Sequence, residues 1–207
     1  CASMRSGAWS QHLVVFARRP RIGVGKRRLA AEVGDVVAWR FQRWALASLL
    51  RELARDPRWV IWLAVTPDRP VDWVRGARVI GQGRGDLGAR MTRIAAQLPP
   101  GPVVIIGSDA PQVKRIDVAA AFSALRGSLA VFGPAVDGGY WLVGLSADGR
   151  RHPPFEPVRW STAHALADTL ANLSSPPAPP LRLLEDVDDA ASLRRCGSGN
   201  MRRPAAV

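Results

Sequence analysis

Apolar residues fall in short unbroken runs separated by stretches of mixed polarity. "HLVVFA" (His12 to Ala17), "WVIWLAVT" (Trp59 to Thr66), "RVIGQ" (Arg78 to Gln82) and Val103 to Ile106 within "PVVIIGSDAPQV" have strand length and no wet alternate face. Runs of this kind predict strands covered on both sides. Between the first two, Val37, Phe41, Ala45, Leu49 and Leu53 recur every four residues while Arg40, Arg43, Arg51 and Arg55 lie off that stripe. This predicts a helix from about Val36 to Arg55, capped by Asp35 and packed on the sheet. Further helices are expected at Leu87 to Leu98, entered through Gly85-Asp86, at Arg115 to Leu125, and at Thr162 to Leu173. "LAVFGPA" and "YWLVGL" predict two strands separated by Asp137-Gly138-Gly139, and "LRLLE" a last strand before a short helix begun by Asp189. Strands alternating with helices predict an α/β fold with a mostly parallel sheet.

The 207 residues fit one domain, expected to span 9–196 with disordered tails at 1–8 and 197–207. No apolar run approaches the roughly 20 residues of a membrane helix, and the start lacks a signal peptide's apolar region. We therefore expect a cytoplasmic protein without membrane insertion. Cys1 and Cys196 are the only cysteines and make neither a disulfide framework nor a metal spacing. The formal charge of +12 invites a nucleic-acid partner. However, 27 of the 29 cations are arginines scattered along the chain, which favours small anionic ligands over nucleic acid.

Against this basic background the acids are informative. Asp109 follows the fourth predicted strand, Asp137 the fifth, and Asp186 and Asp188 the last. Carboxyl ends of parallel strands share one rim, where such residues can meet. Residues two apart in an extended segment point the same way, which pairs Asp186 with Asp188. Close carboxylates repel unless a cation lies between them, and Mg²⁺ or Mn²⁺ suits oxygen ligands. Individually, Asp109 also fits a turn before Pro111, and Asp189 a helix cap. As a set they favour a metal site.

The loop "RRPRIGVGKRRL" (Arg18 to Leu29) follows the first strand, where open α/β sheets bind ligands. Gly23 and Gly25 let backbone amides approach an anion, and Lys26 and Arg28 add charge where a pyrophosphate would lie. It is not a Walker A loop, because Arg27 stands where a Ser or Thr should bind Mg²⁺. In "GPAVDGGYWLVGL", Gly138 and Gly139 permit close contacts and Tyr140 and Trp141 offer flat surface, although a hairpin turn and core aromatics read equally well. Trp160 follows as a second stacking candidate. His12, His152 and His164 show no triad spacing, and Ser108 and Ser161 lack a nucleophile elbow.

With these segments in hand, the chain resembles a bacterial family of proposed glycosyltransferases named for radical-SAM and selenodomain-associated gene clusters, of the nucleotide-diphospho-sugar transferase superfamily with the GT-A fold. The resemblance is carried by "GVGKRRLA" (Gly23 to Ala30), "QGRGDLGARM" (Gln82 to Met91), "IGSDAP" (Ile106 to Pro111), "GPAVDGGYWLVGL", "RWST" (Arg159 to Thr162) and "EDVDD" (Glu185 to Asp189). It implies a GT-A-like fold, Asp109 as metal and diphosphate ligand, nucleotide phosphates on the basic loop, and the Asp137 turn against sugar or acceptor. Arg27 and Ser192 depart from the family pattern. The expected activity is metal-dependent glycosyl transfer from a nucleoside diphosphate sugar to a small acceptor. Asp109 and Asp188 are the expected metal ligands and Asp137 the candidate base, while Gly23, Gly25, Lys26, Arg28, Gly85, Asp86, Gly138, Gly139, Tyr140 and Trp160 are expected around the nucleotide. Two other readings stand beside it: nucleotidyl transfer from an NTP to a phosphorylated acceptor, and a non-catalytic nucleotide-binding module.

Overall fold

The computed structural model describes residues 10–68, 74 and 76–197. The tails expected at 1–8 and 197–207 lie outside these residues, except for residue 197, which closes the last helix. Strands β1 (Gln11–Arg18), β2 (Trp59–Thr66), β3 (Arg78–Gly81), β4 (Val103–Gly107), β5 (Ala130–Pro134) and β6 (Tyr140–Leu145) form one sheet in the order β3-β2-β1-β4-β6-β5. The first four are parallel, and β6 runs antiparallel to both β4 and β5. The last residues of β1 to β5 therefore share one rim with the first residue of β6.

The unbroken apolar strands are explained by cover on both faces. Leu13, Val15, Ala17, Val104 and Ile106 point to one core, which also takes Leu46, Leu49 and Leu53. Val14, Val103 and Ile105 point to the other, with Met91, Ile94 and Phe155. Burying one such aliphatic side chain contributes about 1.5–3 kcal/mol. Helices α1 (Arg27–Val33), α2 (Asp35–Leu53), α3 (Leu87–Gln97), α4 (Arg115–Ala124), α5 (Ala165–Ala171) and α6 (Ala190–Gly197) supply the cover. Among the described residues no helix is long and apolar enough to cross a membrane.

Four local expectations need correction. The basic loop is shorter than expected, because α1 begins at Arg27 after Lys26 turns the chain in the left-handed region (φ 45°, ψ 43°). Gly34 (φ 86°), not Asp35, caps α2, and the buried stripe begins at Ala38 while Val37 is exposed. The helix expected from Thr162 starts at Ala165, with Ser161 (φ 61°) and the preceding turn keeping the chain irregular. "LRLLE" forms no strand, only a single bridge from Leu184 to Ala135. Ala178, Leu181 and Leu184 donate N–H bonds to Ala130, Phe132 and Pro134 along the β5 edge, at three-residue intervals instead of the ladder's two. Pro179 and Pro180 lack the donors for a regular ladder.

Candidate functional site

The strand ends open into a cleft of about 750 Å³, lined by Phe16, Arg18, Gly25, Lys26, Arg27, Arg28, Gln82, Arg90, Asp109, Asp137, Asp188 and neighbouring residues. Its centre is Lys26. The side chain is 6% exposed, and its Nζ lies 2.9 Å from an Asp109 oxygen and 2.8 Å from Asp188 Oδ1, both carboxylates being about half exposed. Residues 162 apart thus meet because β1 and β4 are neighbours and the chain after Leu184 crosses the end of β4, where Val187 N–H donates to Asp109 O. Burial alone would lower the Lys26 pKa. The Asp109 and Asp188 charges outweigh it and hold the ammonium above its usual value.

The segment 184–189 owes its alternation to Val187, which is buried with Leu29, Ala38, Phe41 and Ala45 between α1 and α2. Asp188 lies on the opposite side, against Lys26. Asp186 is partly buried there too, and its pKa is raised to about 6, first by burial and then by the negative charge of Asp109, only partly offset by Lys26. Ser192 fixes the segment: its hydroxyl accepts N–H bonds from Asp188 (3.0 Å) and Asp189 (3.1 Å), and its own N–H donates to Asp189 Oδ1 at 2.7 Å. This residue therefore completes the cap of α6 that Asp189 was expected to begin. Arg182 pins the preceding residues to α4, its Nε and Nη2 each donating to Asp117 at 2.7 Å.

Other predicted residues divide into those on the cleft and those supporting it. Gly25, Arg28 and Asp137 line it. Asp137 Oδ1 accepts the Gly139 N–H at 2.9 Å, which shapes the turn. Gly138 has φ 85°, and a Cβ there would lie 2.3 Å from Ala163 O, so only glycine fits against the start of α5. Gly23 lies away from the lining residues, with the Asp35 carboxylate 4.0 Å from where its Cβ would be. Asp86 caps α3, accepting from Ala89 N–H at 2.8 Å, and Gly85 (φ 104°) precedes it.

Tyr140 and Trp160 do not present their faces to the cleft. Their rings pack edge to face, 6.3 Å between centroids, with Tyr140 also against Phe132 and Trp160 against Phe155. Burial raises the Tyr140 pKa far above its ordinary value. Trp141 is buried as well and donates its indole N–H to Arg182 O at 3.0 Å. Tyr140 and Trp141 pack because β6 carries them from the rim into the two cores, and Trp160 joins the same packing from the segment before α5.

Sequence reasoning missed Arg18, Gln82 and Arg90. Gln82 is 3% exposed, and its Nε2 donates to Ala17 O (3.2 Å) and Ala64 O (2.8 Å). Its Oε1 accepts from Arg90 Nη1 at 3.0 Å. The available signal was a polar residue ending an apolar strand, with an arginine in the first turn of the next helix. Among the described residues no three or more His, Cys, Asp or Glu side chains are arranged to hold a metal by themselves.

The fold agrees with known proteins. A protein of Desulfovibrio desulfuricans G20, described as a proposed nucleotide-diphospho-sugar transferase, is 26% identical and superposes with a TM-score of 0.81 over 93% of this chain and 90% of its own. The 4-diphosphocytidyl-2C-methyl-D-erythritol synthase of Anaerococcus prevotii DSM 20548 is 11% identical, with a TM-score of 0.57 over 91% of this chain and 94% of its own. A CMP:2-keto-3-deoxy-manno-octonic acid synthetase complexed with CTP is likewise 11% identical, with a TM-score of 0.55 over 90% and 96%. The last two likenesses show the fold alone. No curated protein sequence matches the chain. The six-stranded, mostly parallel sheet flanked by helices matches the nucleotide-diphospho-sugar transferase fold. With residues 49–162 matching its pattern, the chain belongs to the family described as "Uncharacterized protein conserved in bacteria (DUF2064)".

Proposed function

We propose that the protein is a nucleotide-dependent transferase that moves a glycosyl group from a nucleoside diphosphate sugar to a small acceptor. The observation that carries this reading is the Lys26 ammonium held between Asp109 and Asp188 in a cleft that also exposes Arg18 and Arg28. The name of the Desulfovibrio protein supports the substrate class.

The two carboxylates fit a Mg²⁺ or Mn²⁺ of the kind held by one or two acids together with substrate phosphates. Asp109 and Asp188 would hold it, and the ion would supply a Lewis acid for the charge that develops on the diphosphate. Lys26, Arg18 and Arg28 orient the phosphates and neutralise them. As the bond from the sugar's anomeric carbon to the phosphate oxygen breaks, its electron pair leaves on the diphosphate, where these fixed cations bind it more strongly than before. The acceptor oxygen bonds to the anomeric carbon. Its proton passes to Asp137, one of whose oxygens is committed to the Gly139 N–H while the other is available.

A second reading, transfer of a nucleotidyl group from an NTP, draws on Arg18, Lys26, Arg27 and Arg28, four basic side chains on one cleft and enough for a triphosphate. Two of the fold neighbours are named as cytidylyl-type enzymes, which supports this alternative. Thermal stabilisation and product analysis test both. A panel of nucleoside diphosphate sugars and NTPs, each with and without Mn²⁺, should stabilise the wild type only with metal, and Asp109→Ala should lose that response. Release of NDP supports glycosyl transfer and release of pyrophosphate the second reading. Metal-independent stabilisation that survives in Asp109→Ala would mean a binding module instead.

A further inference from the structure

We propose that Arg90 selects the nucleobase, favouring one with two adjacent hydrogen-bond acceptors, guanine or cytosine, over adenine and uracil. The inference rests on the nucleotide reading above and extends it to the far end of the cleft.

Gln82 is the starting point. Its carboxamide is buried, with nitrogen on the Ala17 and Ala64 carbonyls and oxygen toward Arg90. Its backbone is fixed too, the N–H donating to Val65 O at 3.2 Å and the carbonyl accepting from Arg93 Nη1 at 2.8 Å. Arg90 is thus gripped at Nη1 by Gln82 and at Nε by Asp86 O, 3.0 Å away. Two of a guanidinium's five N–H donors are used. The other three, on Nη1 and Nη2, have no protein acceptor among the described residues, and Arg90 lines the cleft. A buried carboxamide that, besides joining β1 and β2, holds a guanidinium with three free donors at the cleft is the mark of a recognition residue.

Position argues for a base over a phosphate as its target. The Gln82 carboxamide that holds Arg90 rests on carbonyls of β1 and β2, and Asp109 follows β4, one to two strand positions away along the rim. At the usual strand spacing this is roughly 5–10 Å. An extended nucleotide with its phosphates at Lys26 brings its base toward the Arg90 end. The lining there includes Phe16, Thr66 and Leu87, apolar or neutral groups suited to a flat ring.

A guanidinium can only donate, and it pairs best with two neighbouring acceptors. Guanine offers O6 and N7, and cytosine offers O2 and N3. Adenine sets an amino donor beside N1 and N7, and uracil places an N–H between its two carbonyls. A bidentate pair of this type discriminates by about tenfold to a hundredfold.

The test is calorimetric titration of the full chain with GDP, CDP, UDP and ADP in Mn²⁺, repeated on Arg90→Met. GDP or CDP should bind at least about tenfold more tightly than ADP and UDP, and the two arms say which base is preferred. In Arg90→Met that preference should collapse. ADP or UDP binding as tightly as the best of GDP and CDP overturns the inference and leaves the nucleotide reading intact, and this comparison needs only the wild type. A preference that survives in a folded Arg90→Met overturns it equally. If none of the four binds, the nucleotide reading itself falls and takes this inference with it.

Discussion

Lys26 occupies a conformation that ordinarily costs a residue with a side chain about 1–3 kcal/mol. Two ion pairs and the start of α1 offset that cost. Its raised pKa stabilises the folded chain at every pH below the unfolded lysine value near 10.4, a contribution lost as pH climbs through the folded value. Asp186 acts in the opposite sense. Its folded pKa of about 6 stands above the ordinary carboxyl value of 3.8, so the folded state binds the proton more tightly than the unfolded one. The resulting penalty is present above about pH 6 and shrinks as pH falls toward 4, and its upper bound is about 3 kcal/mol. Asp186→Asn is therefore expected to stabilise the protein by about 1–3 kcal/mol at pH 7.5 and by about a third of that at pH 4.5. Urea unfolding at the two pH values in chelator-treated buffer measures this. Equal effects at both would show that charge is not the cause.

At the scale of elements, one side chain closes the end of α3. Arg150 donates from Nε to Ala95 O at 3.0 Å, from Nη1 to Pro99 O at 2.7 Å and Gly101 O at 2.6 Å, and from Nη2 to Leu98 O at 2.8 Å. These carbonyls have no helical partner, so their only alternative is water. Arg150→Ala should cost about 2–4 kcal/mol in chemical denaturation while leaving the secondary structure unchanged. Nothing in the sequence near "GRRHPP" announces this role, because all the acceptors lie some fifty residues earlier. The strands, by contrast, were legible: an apolar run covered on both faces needs no partner to be recognised. Helix α1 was hidden by its own start, since a left-handed lysine followed by two more cations reads as loop. "LRLLE" misled for a related reason, its apolar pattern being real while the two prolines before it spoil the ladder.

Among the described residues, many of the cations that are not simply solvated are paired or face the cleft. Arg58, Arg115, Arg159, Arg182 and Arg195 each hold an acid at 3.3 Å or less, and Arg18, Arg27, Arg28 and Arg90 converge on the cleft. A charge of +12 distributed in this way gives diffuse attraction to polyanions. Binding of duplex DNA, followed by fluorescence polarisation, should be lost by about 0.2 M salt. Retained tight binding would point to a basic face instead. The candidate site was legible where a residue's place along the chain sufficed, as for Asp109, Asp137 and Asp188 at the shared rim. It was not legible where function depends on a hydrogen bond between distant segments, as for Gln82 and Arg90.

The ammonium between Asp109 and Asp188 bears on the order of events in the proposed reaction. An acid pair already quenched by a tethered lysine has little appetite for stray divalent ions. Incoming phosphates compete for that same lysine, and any that draw it aside leave both acids ready for metal. Cation and nucleotide would then arrive as a couple, each admitting the other by the same factor, and an idle protein would stay closed to either alone.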